Sequence, residues 1–301
     1  MTNAEKAIKK ETVNQGLVIK EGGDFPWHEL QQMIRDLEMN SFSEYIHEDE
    51  LKLIVNEGWG RIFLAFDGTL NPPLLISYQV VLFKEYGNKD SVVEKRLQPL
   101  LVERRKTDNH VMHDDVHFDE ETTIYFHLIG TRKGYEGLGI SSKLKQTAVN
   151  RLTPEQQRKK RKVCVRINNA SSLAVNMKVL GVLPVSFKPV DLTLIGSRET
   201  NFNLETVPGI KPEFDHDKVK AAYRNSLVQL VDQITPLTAD KLLIPFTAGG
   251  QSDLEDKVLE GRIKQAMDSG YLIRGIFKGD ELGLTGDSYF YAEKIGPSAS
   301  Q

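Results

Sequence analysis

Four glycines, at positions 130, 134, 137 and 139, interrupt a chain that is otherwise well supplied with side chains at this point. They follow TTIYFHLI, a run of β-branched and aromatic residues that reads as a buried strand. They precede ISSKLKQTAVNRL, whose composition is helical from Ile140 onward. A strand, a glycine-rich turn and a helix together turn successive backbone N–H groups, and the positive end of a helix dipole, toward an anion. Glycine matters there because positive φ and close approach of backbone to a ligand both exclude a Cβ. The spacing is neither G-x-G-x-x-G nor G-x-x-x-x-G-K-[ST], so the dinucleotide and P-loop patterns are both unmet. Anion binding is one reading of these residues, and a tight connection is the other.

The same strand carries groups able to move protons. Alternation along a strand predicts that Glu121, Thr123, Tyr125, His127 and Ile129 share one face. An unperturbed imidazole titrates near pH ~6.5, so His127 needs no tuning to act as a base. Glu121 would need a raised pKa or a relaying water. His127 is preferred as the base, with a satisfied core histidine as the alternative. Upstream, DNHVMHDDVHFDEE holds His110, His113 and His117 among acidic residues. That spacing suits a metal if helical and a solvated loop otherwise; the loop is the expectation and no metal is assigned.

Composition narrows the function classes. At 301 residues the chain has length for two domains, with 40% apolar and 27% charged residues, as in ordinary globular proteins. A net charge of −3 makes no general case for nucleic acid or anionic membrane as partner. The single cysteine, Cys164, lies in the apolar run VCVRI and excludes both an internal disulfide and a cysteine-built zinc site. The polar N-terminus lacks an apolar signal core, and no apolar run approaches the roughly 20 residues that span a bilayer. A cytoplasmic location is therefore expected, or a nuclear one if RKKRK at 158–162 is a targeting patch rather than a solvated loop.

These groups need positioning elements. A flexible lead over 1–14 is expected, then a strand within Gly16–Gly23. FPWHELQQMIRDLEMN has apolar residues at helical spacing (Phe25, Leu30, Met33, Leu37), and HEDELKLIVNEG forms a second, shorter helix. RIFLAF and LLISYQVVLF make a hairpin around the breaker DGTLNPP. An insertion over about 85–119 precedes the central strand. After the glycine turn and its helix come the strand KVCVRI, the helix NNASSLAVNMKVLGV ending at Gly181, and two further strands. VPGIKPEF (207–214) is the expected boundary, dividing 15–206 from an accessory part, 207–301. In that second part DKVKAAYRNSLVQLVDQI is expected as one helix, TADKLLIPF as a helix or short turn, and YLIRGIFKGDELGLTGDSYFYAEKI as a hairpin. The tail GPSASQ is expected to be disordered.

The order of these elements resembles that of the GNAT N-acyltransferase superfamily over roughly 15–205. HLIGTRKGYEGLGISSKL is similar to that family's central strand and pyrophosphate loop, Gly137-Leu138-Gly139 matching the final G-x-G. Gly134 departs from the usual Gln or Arg, for which Arg132 or Lys133 is the candidate replacement. NNASSLAVNMKVLGV resembles the family's later Asn-led helix. The resemblance implies a mixed, splayed α/β sheet with helices on both faces. It also implies transfer of an acyl group from acetyl-CoA, or another acyl-CoA, to an amine, either a small molecule or a protein lysine or N-terminus. Main-chain groups at Leu128, Ile129 and Gly130 would pair with the pantetheine arm. The loop Gly134, Tyr135, Glu136, Gly137, Leu138, Gly139 and Ile140 would bind the pyrophosphate, and Asn169 and Ser172 would touch the arm unless they only cap their helix. The tyrosine that often protonates the leaving thiolate is replaced by Met177, leaving Tyr135 as an alternative donor. The acidic and histidine-rich insertion would suit a cationic amine. A homodimer is possible under the resemblance, and no membrane partner is implied. The last segment weakly resembles a winged helix, so the rival classes are a silent coenzyme-binding module and a DNA-binding regulator. From Thr206 to Gln301 eleven Lys/Arg face fourteen Asp/Glu, a balance that argues against DNA.

Overall fold

Both strands of the first hairpin are apolar on both faces, the pattern of strands covered on two sides. The computed structural model describes residues 3–40, 48–84, 118–167, 169–192, 197–248 and 253–295. The three histidines at 110, 113 and 117, nearly all of the expected insertion and the C-terminal tail lie outside these. The chain is mixed α/β and divides into two compact units, Met1–Arg161 and Lys162–Gln301, so the division falls well before the 206/207 boundary that the linker composition suggested.

In the first unit, β1 (Leu17–Glu21), β2 (Gly60–Asp67), β3 (Leu74–Leu82) and β4 (Thr123–Thr131) pair successively and antiparallel. The N-terminal stretch expected to be flexible is instead a helix, α1 (Asn3–Gln15), with Val13 buried at 3% exposure. Its sequence, EKAIKKET, has little apolar periodicity, so composition alone could not distinguish it from a solvated lead. The helix α2 (Trp27–Met39) buries Leu30, Ile34, Leu37 and Glu38, positions i, i+4, i+7 and i+8 of one face. A short α3 (Glu48–Asn56) follows. After β4 come α4 (Ile140–Asn150) and α5 (Pro154–Arg158). In α5 Thr153 caps the helix reciprocally with Gln156, and Pro154 supplies the preset first turn.

Successive residues of β3 show how the layers are arranged. The Tyr78 hydroxyl donates to the Glu38 carboxylate of α2 at 2.9 Å, and the Gln79 amide oxygen accepts from the Lys145 ammonium of α4 at 2.6 Å. Adjacent strand residues point to opposite faces, so α2 and α4 cover opposite sides of the sheet. The basic run 158–162 is not a free loop. Arg158 ends α5, and the rest enters β5 (Lys160–Arg166), where the Lys160 N–H donates to the Thr122 carbonyl at 2.7 Å.

In the second unit β5 and β6 (Leu183–Leu192) both pair antiparallel with β7 (Ser197–Glu205), and α6 (Ala170–Leu180) connects β5 to β6. A second sheet has the order β10-β11-β9-β8, from β8 (Gln229–Leu230), β9 (Lys241–Phe246), β10 (Tyr271–Lys278) and β11 (Ser288–Lys294). The helices here are α7 (His216–Arg224), α8 (Asp253–Asp268) and the single turn α9 (Gly279–Leu282). Two sequence expectations are corrected and a third is left unconfirmed. The long helix from Asp217 stops at Arg224, where Asn225 caps it and Ser226 takes a φ of 54°. KLLIPF is a strand, because Leu242, Leu243 and Ile244 are all fully buried and so need cover on both faces. The winged-helix likeness is not confirmed; β11 is the interior strand between β10 and β9. Among the described residues no helix is long and apolar enough to cross a membrane.

Lys145 is the unusual member of this core. It is 2% exposed, and burial pushes its ammonium down to about 7. An unfolded lysine titrates near ~10.4. Between those two values the unfolded chain holds a proton that the folded chain releases, so this side chain makes stability fall as pH drops through the window. Urea titrations from pH 7 to 9.5 should show Lys145→Met losing a slope of up to ~1.4 kcal/mol per pH unit relative to the parent. Equal pH slopes in parent and variant would mean that the ammonium is solvated.

Candidate functional site

The path from β4 through the glycine turn into α4 begins with a slip in register. Tyr125 lies opposite Leu82 and Phe126 opposite Val81, but Ile129 lies opposite Gln79 and Gly130 opposite Tyr78. Two residues of β4, His127 and Leu128, thus stand against Val80 alone, which is a β-bulge. The extra residue falls just before Ile129 and Gly130, which are back in register with Gln79 and Tyr78, and the Gly130 carbonyl accepts the Ser77 hydroxyl.

The bulge also corrects the expected grouping of side chains. Ile129 pairs with Gln79 on the α4 side, whereas Tyr125 pairs with Leu82 on the α2 side, so the two do not share a face. His127 stays with Tyr125, ring centres 5.7 Å apart, and Phe118 stacks on Tyr125 at 5.8 Å. Glu121 is not on the strand. It lies exposed in the preceding turn, where its N–H and the Thr122 hydroxyl donate to Asp119 at 3.0 and 2.7 Å and hold that carboxyl below its ordinary range.

Beyond β4 the turn is fastened from three sides. The Arg132 N–H and Nε donate to the carbonyls of Ile76 and Leu75 at 2.8 and 3.0 Å, and its guanidinium pairs with Asp36 of α2. These bonds leave its side chain only 13% exposed, which favours an anchor over a phosphate ligand; Lys133 beside it is exposed. The Tyr135 hydroxyl donates to Asp67 at 3.0 Å, a carboxylate that also accepts the Thr69 N–H at 3.1 Å. Burial first, and the Asp67 bond second, raise the Tyr135 phenol above its usual value. From α1, Lys9 donates to the Gly134 carbonyl at 2.8 Å and lies 4.1 Å from the Tyr135 ring centre. Glu136 folds back to accept the Gly134 N–H at 2.6 Å.

With the turn held in this way, the N–H groups of Gly137, Leu138, Gly139, Ile140, Ser141 and Ser142 donate to no protein atom among the described residues. The first inward bond of the helix is that of Lys143 to Gly139, at 3.2 Å. Gly139 caps the helix in the left-handed region at φ 83°, a conformation that costs a residue with a Cβ about 1–2 kcal/mol. Leu138 is fully buried, so the turn is pinned by one apolar side chain while its amides stay outward. Six unpaired donors in sequence at a helix start are suited to a polyanion with several oxygens.

Asn169 and Ser172 belong to the second unit. The Asn169 side chain accepts the Ser172 N–H at 3.0 Å, so it caps α6. One turn on, Asn176 donates to the Ser172 carbonyl at 2.9 Å while its own Oδ1 is buried without a partner. Met177 is fully buried and cannot donate a proton. Sequence reasoning missed Lys9, Asp67, Glu38 and Asn176. Glu38 was detectable, since it stands on the apolar stripe of α2 four residues after Ile34. Lys9 and Asp67 become neighbours of the loop only through folding. Among the described residues no group of three or more His, Cys, Asp or Glu is placed to hold a metal.

No protein-family model matches the chain, and no curated protein is significantly similar to it. Its likeness is to solved structures. An IAA acetyltransferase of Bacillus cereus is 16% identical, overlapping 63% of this chain and 98% of its own at a TM-score of 0.36. A spermidine N-acetyltransferase of Vibrio cholerae is 13% identical over 64% of this chain and 93% of its own, with a TM-score of 0.41. The NatC complex bound to Gag peptide and CoA is 14% identical over 63% and 97%, also at 0.41. Such values assign neither activity nor substrate.

If Asp67 holds the turn through Tyr135, Asp67→Asn should lower the phenol's pKa toward ~10. The check is the ultraviolet pH difference spectrum of Asp67→Asn with and without Tyr135→Phe. An unmoved Tyr135 transition would place the hydroxyl elsewhere.

Proposed function

We propose that this chain is an acyl-CoA-dependent N-acyltransferase, with acetyl-CoA as the first donor to test and an amine as acceptor. The observation that carries the reading is the row of unpaired amides from Gly137 to Ser142, standing directly after a strand whose ladder is broken at His127–Leu128. A coenzyme A thioester presents a diphosphate and an amide-bearing arm, and these two features offer partners to both. The amides of Gly137–Ser142, with the dipole of α4 behind them, hold the diphosphate. Main-chain groups of Leu128, Ile129 and Gly130 pair with the arm, and one N–H there donates to the carbonyl oxygen as charge develops on it. Lys133 is the exposed cation of the turn.

In the reaction the acceptor's nitrogen lone pair forms a bond to the acyl carbon, and the carbon–sulfur bond then breaks with its electron pair leaving on sulfur. His127 takes the proton lost by nitrogen; Glu121, exposed in its turn, could do so only through water. A thiol titrates near ~8.5, so sulfur departs as thiolate without full protonation. The Tyr135 hydroxyl is committed to Asp67, which suits holding the turn better than protonating sulfur.

Calorimetry with acetyl-CoA should show one site, and thiol release should follow on adding a suitable amine. Gly139→Val should weaken acetyl-CoA binding at least tenfold, because a branched side chain both strains φ 83° and covers the adjacent amides. His127→Ala should flatten the acidic limb of the pH–rate profile, and an unaltered limb would transfer the base role to Glu121 or water. No heat with any acyl-CoA would end this reading.

A further inference from the structure

The second unit contains a cavity of about 790 Å³ that nothing above uses. One wall is the start of α6, with Ala170, Ala174 and Val175, and another is Ile276 and Phe277 of β10. Three carboxylates line it, Asp280, Glu281 and Asp287, against one cation, Lys278, an excess of two negative charges. The two acids in α9 have local bonds: Asp280 accepts the Glu281 N–H at 2.8 Å and Glu281 accepts the Lys278 N–H at 3.0 Å. Neither bond neutralises a charge, and none of the three acids is in an ion pair among the described residues.

Acidic side chains alone would be a solvated rim, but the wall also carries a largely buried serine. Ser288 lines the wall at 5% exposure, and its hydroxyl has no hydrogen-bond partner among the described residues. Its position is determined from both sides, since in the sheet it lies between Lys278 of β10 and Phe246 of β9. The turn that carries the acids is equally constrained. A Cβ on Gly279 would come within 2.1 Å of the Gly286 carbonyl oxygen, so α9 and the approach to β11 are locked together. The site is thus a hollow with an apolar side, an acidic side and one serine hydroxyl on its wall, the composition expected of a small-molecule pocket.

We propose that this cavity binds a linear cationic amine, with its ammonium among Asp280, Glu281 and Asp287, a second polar group at Ser288 and its methylene stem along α6.

The probe is 1,5-diaminopentane, titrated calorimetrically into the full chain, with 1,5-pentanediol and glutarate as neutral and anionic controls. The diamine should bind at one site, more weakly as salt rises, and the controls should not. Asp287→Asn should weaken it about tenfold and Ser288→Ala severalfold, while Lys278→Met, which removes the one like charge, should tighten it. That last variant keeps the test decisive should Asp287→Asn fail to fold. Diamine binding that is absent, indifferent to all three substitutions, or matched by glutarate overturns the proposal. Acetyl-CoA binding is read separately: its loss with diamine binding intact would sink the acyltransferase reading and spare the amine site, and the reverse result would do the opposite.

Discussion

A one-residue slip between β3 and β4 is the constraint on which the first unit depends. Before the slip, β4 places Tyr125 on the α2 side; after it, Ile129 is on the α4 side. Without the slip, alternation would carry the Tyr125 face straight on to Ile129, and Thr131 would lie out of reach of Ser77, with which it shares a 3.1 Å hydroxyl contact. Two residues of β4 then stand against one of β3, and a second slip lies between β2 and β3 at Ala65–Phe66. Bulges of this kind concentrate where a strand must re-aim a side chain or release a backbone group. Here the slip lies a few residues ahead of a helix start with six unpaired amides.

The turn between them is rigid for reasons unrelated to any ligand. Arg132, Tyr135 and Gly134 are tied respectively to β3 and α2, to the end of β2, and to α1. Each tie uses a side chain or a carbonyl and spares the N–H groups beyond Glu136. Donors held in place before a ligand arrives need no ordering when it binds, and the entropic cost of association falls accordingly. The anchors are therefore as much part of the candidate site as the amides they present.

Buried polar groups distinguish the two faces of this sheet. Glu38 and Tyr78 satisfy each other on one side, and Lys145 and Gln79 on the other. The first pair keeps a carboxylate in a layer that is otherwise apolar. The second holds an ammonium whose proton is lost near neutrality because burial penalises the charge. Neither is needed to bury area, since Leu or Met would serve that purpose better. Their shared effect is to lock α2 and α4 in register on consecutive residues of β3.

The local patterns of the sequence were enough for much of this. Apolar runs identified β2 and β3, the breaker DGTLNPP identified their turn, the 3.6-residue stripe identified α2, and the glycines identified the turn before α4. Each is a property of neighbouring residues, so each is legible without the fold. The register slip was not legible, because a bulge depends on which residue of another strand lies opposite. Strand β9 was misread because a short apolar run is compatible with helix or strand until its neighbours cover both faces, and α1 because its stability comes from contacts with a loop more than a hundred residues away. Which residues surround the amides and the acidic cavity was likewise decided only in three dimensions: Lys9, Asp67 and Asp36 meet the glycine turn, and Ser288 lines the same cavity as Asp280, through strand pairing and packing that no sequence window contains.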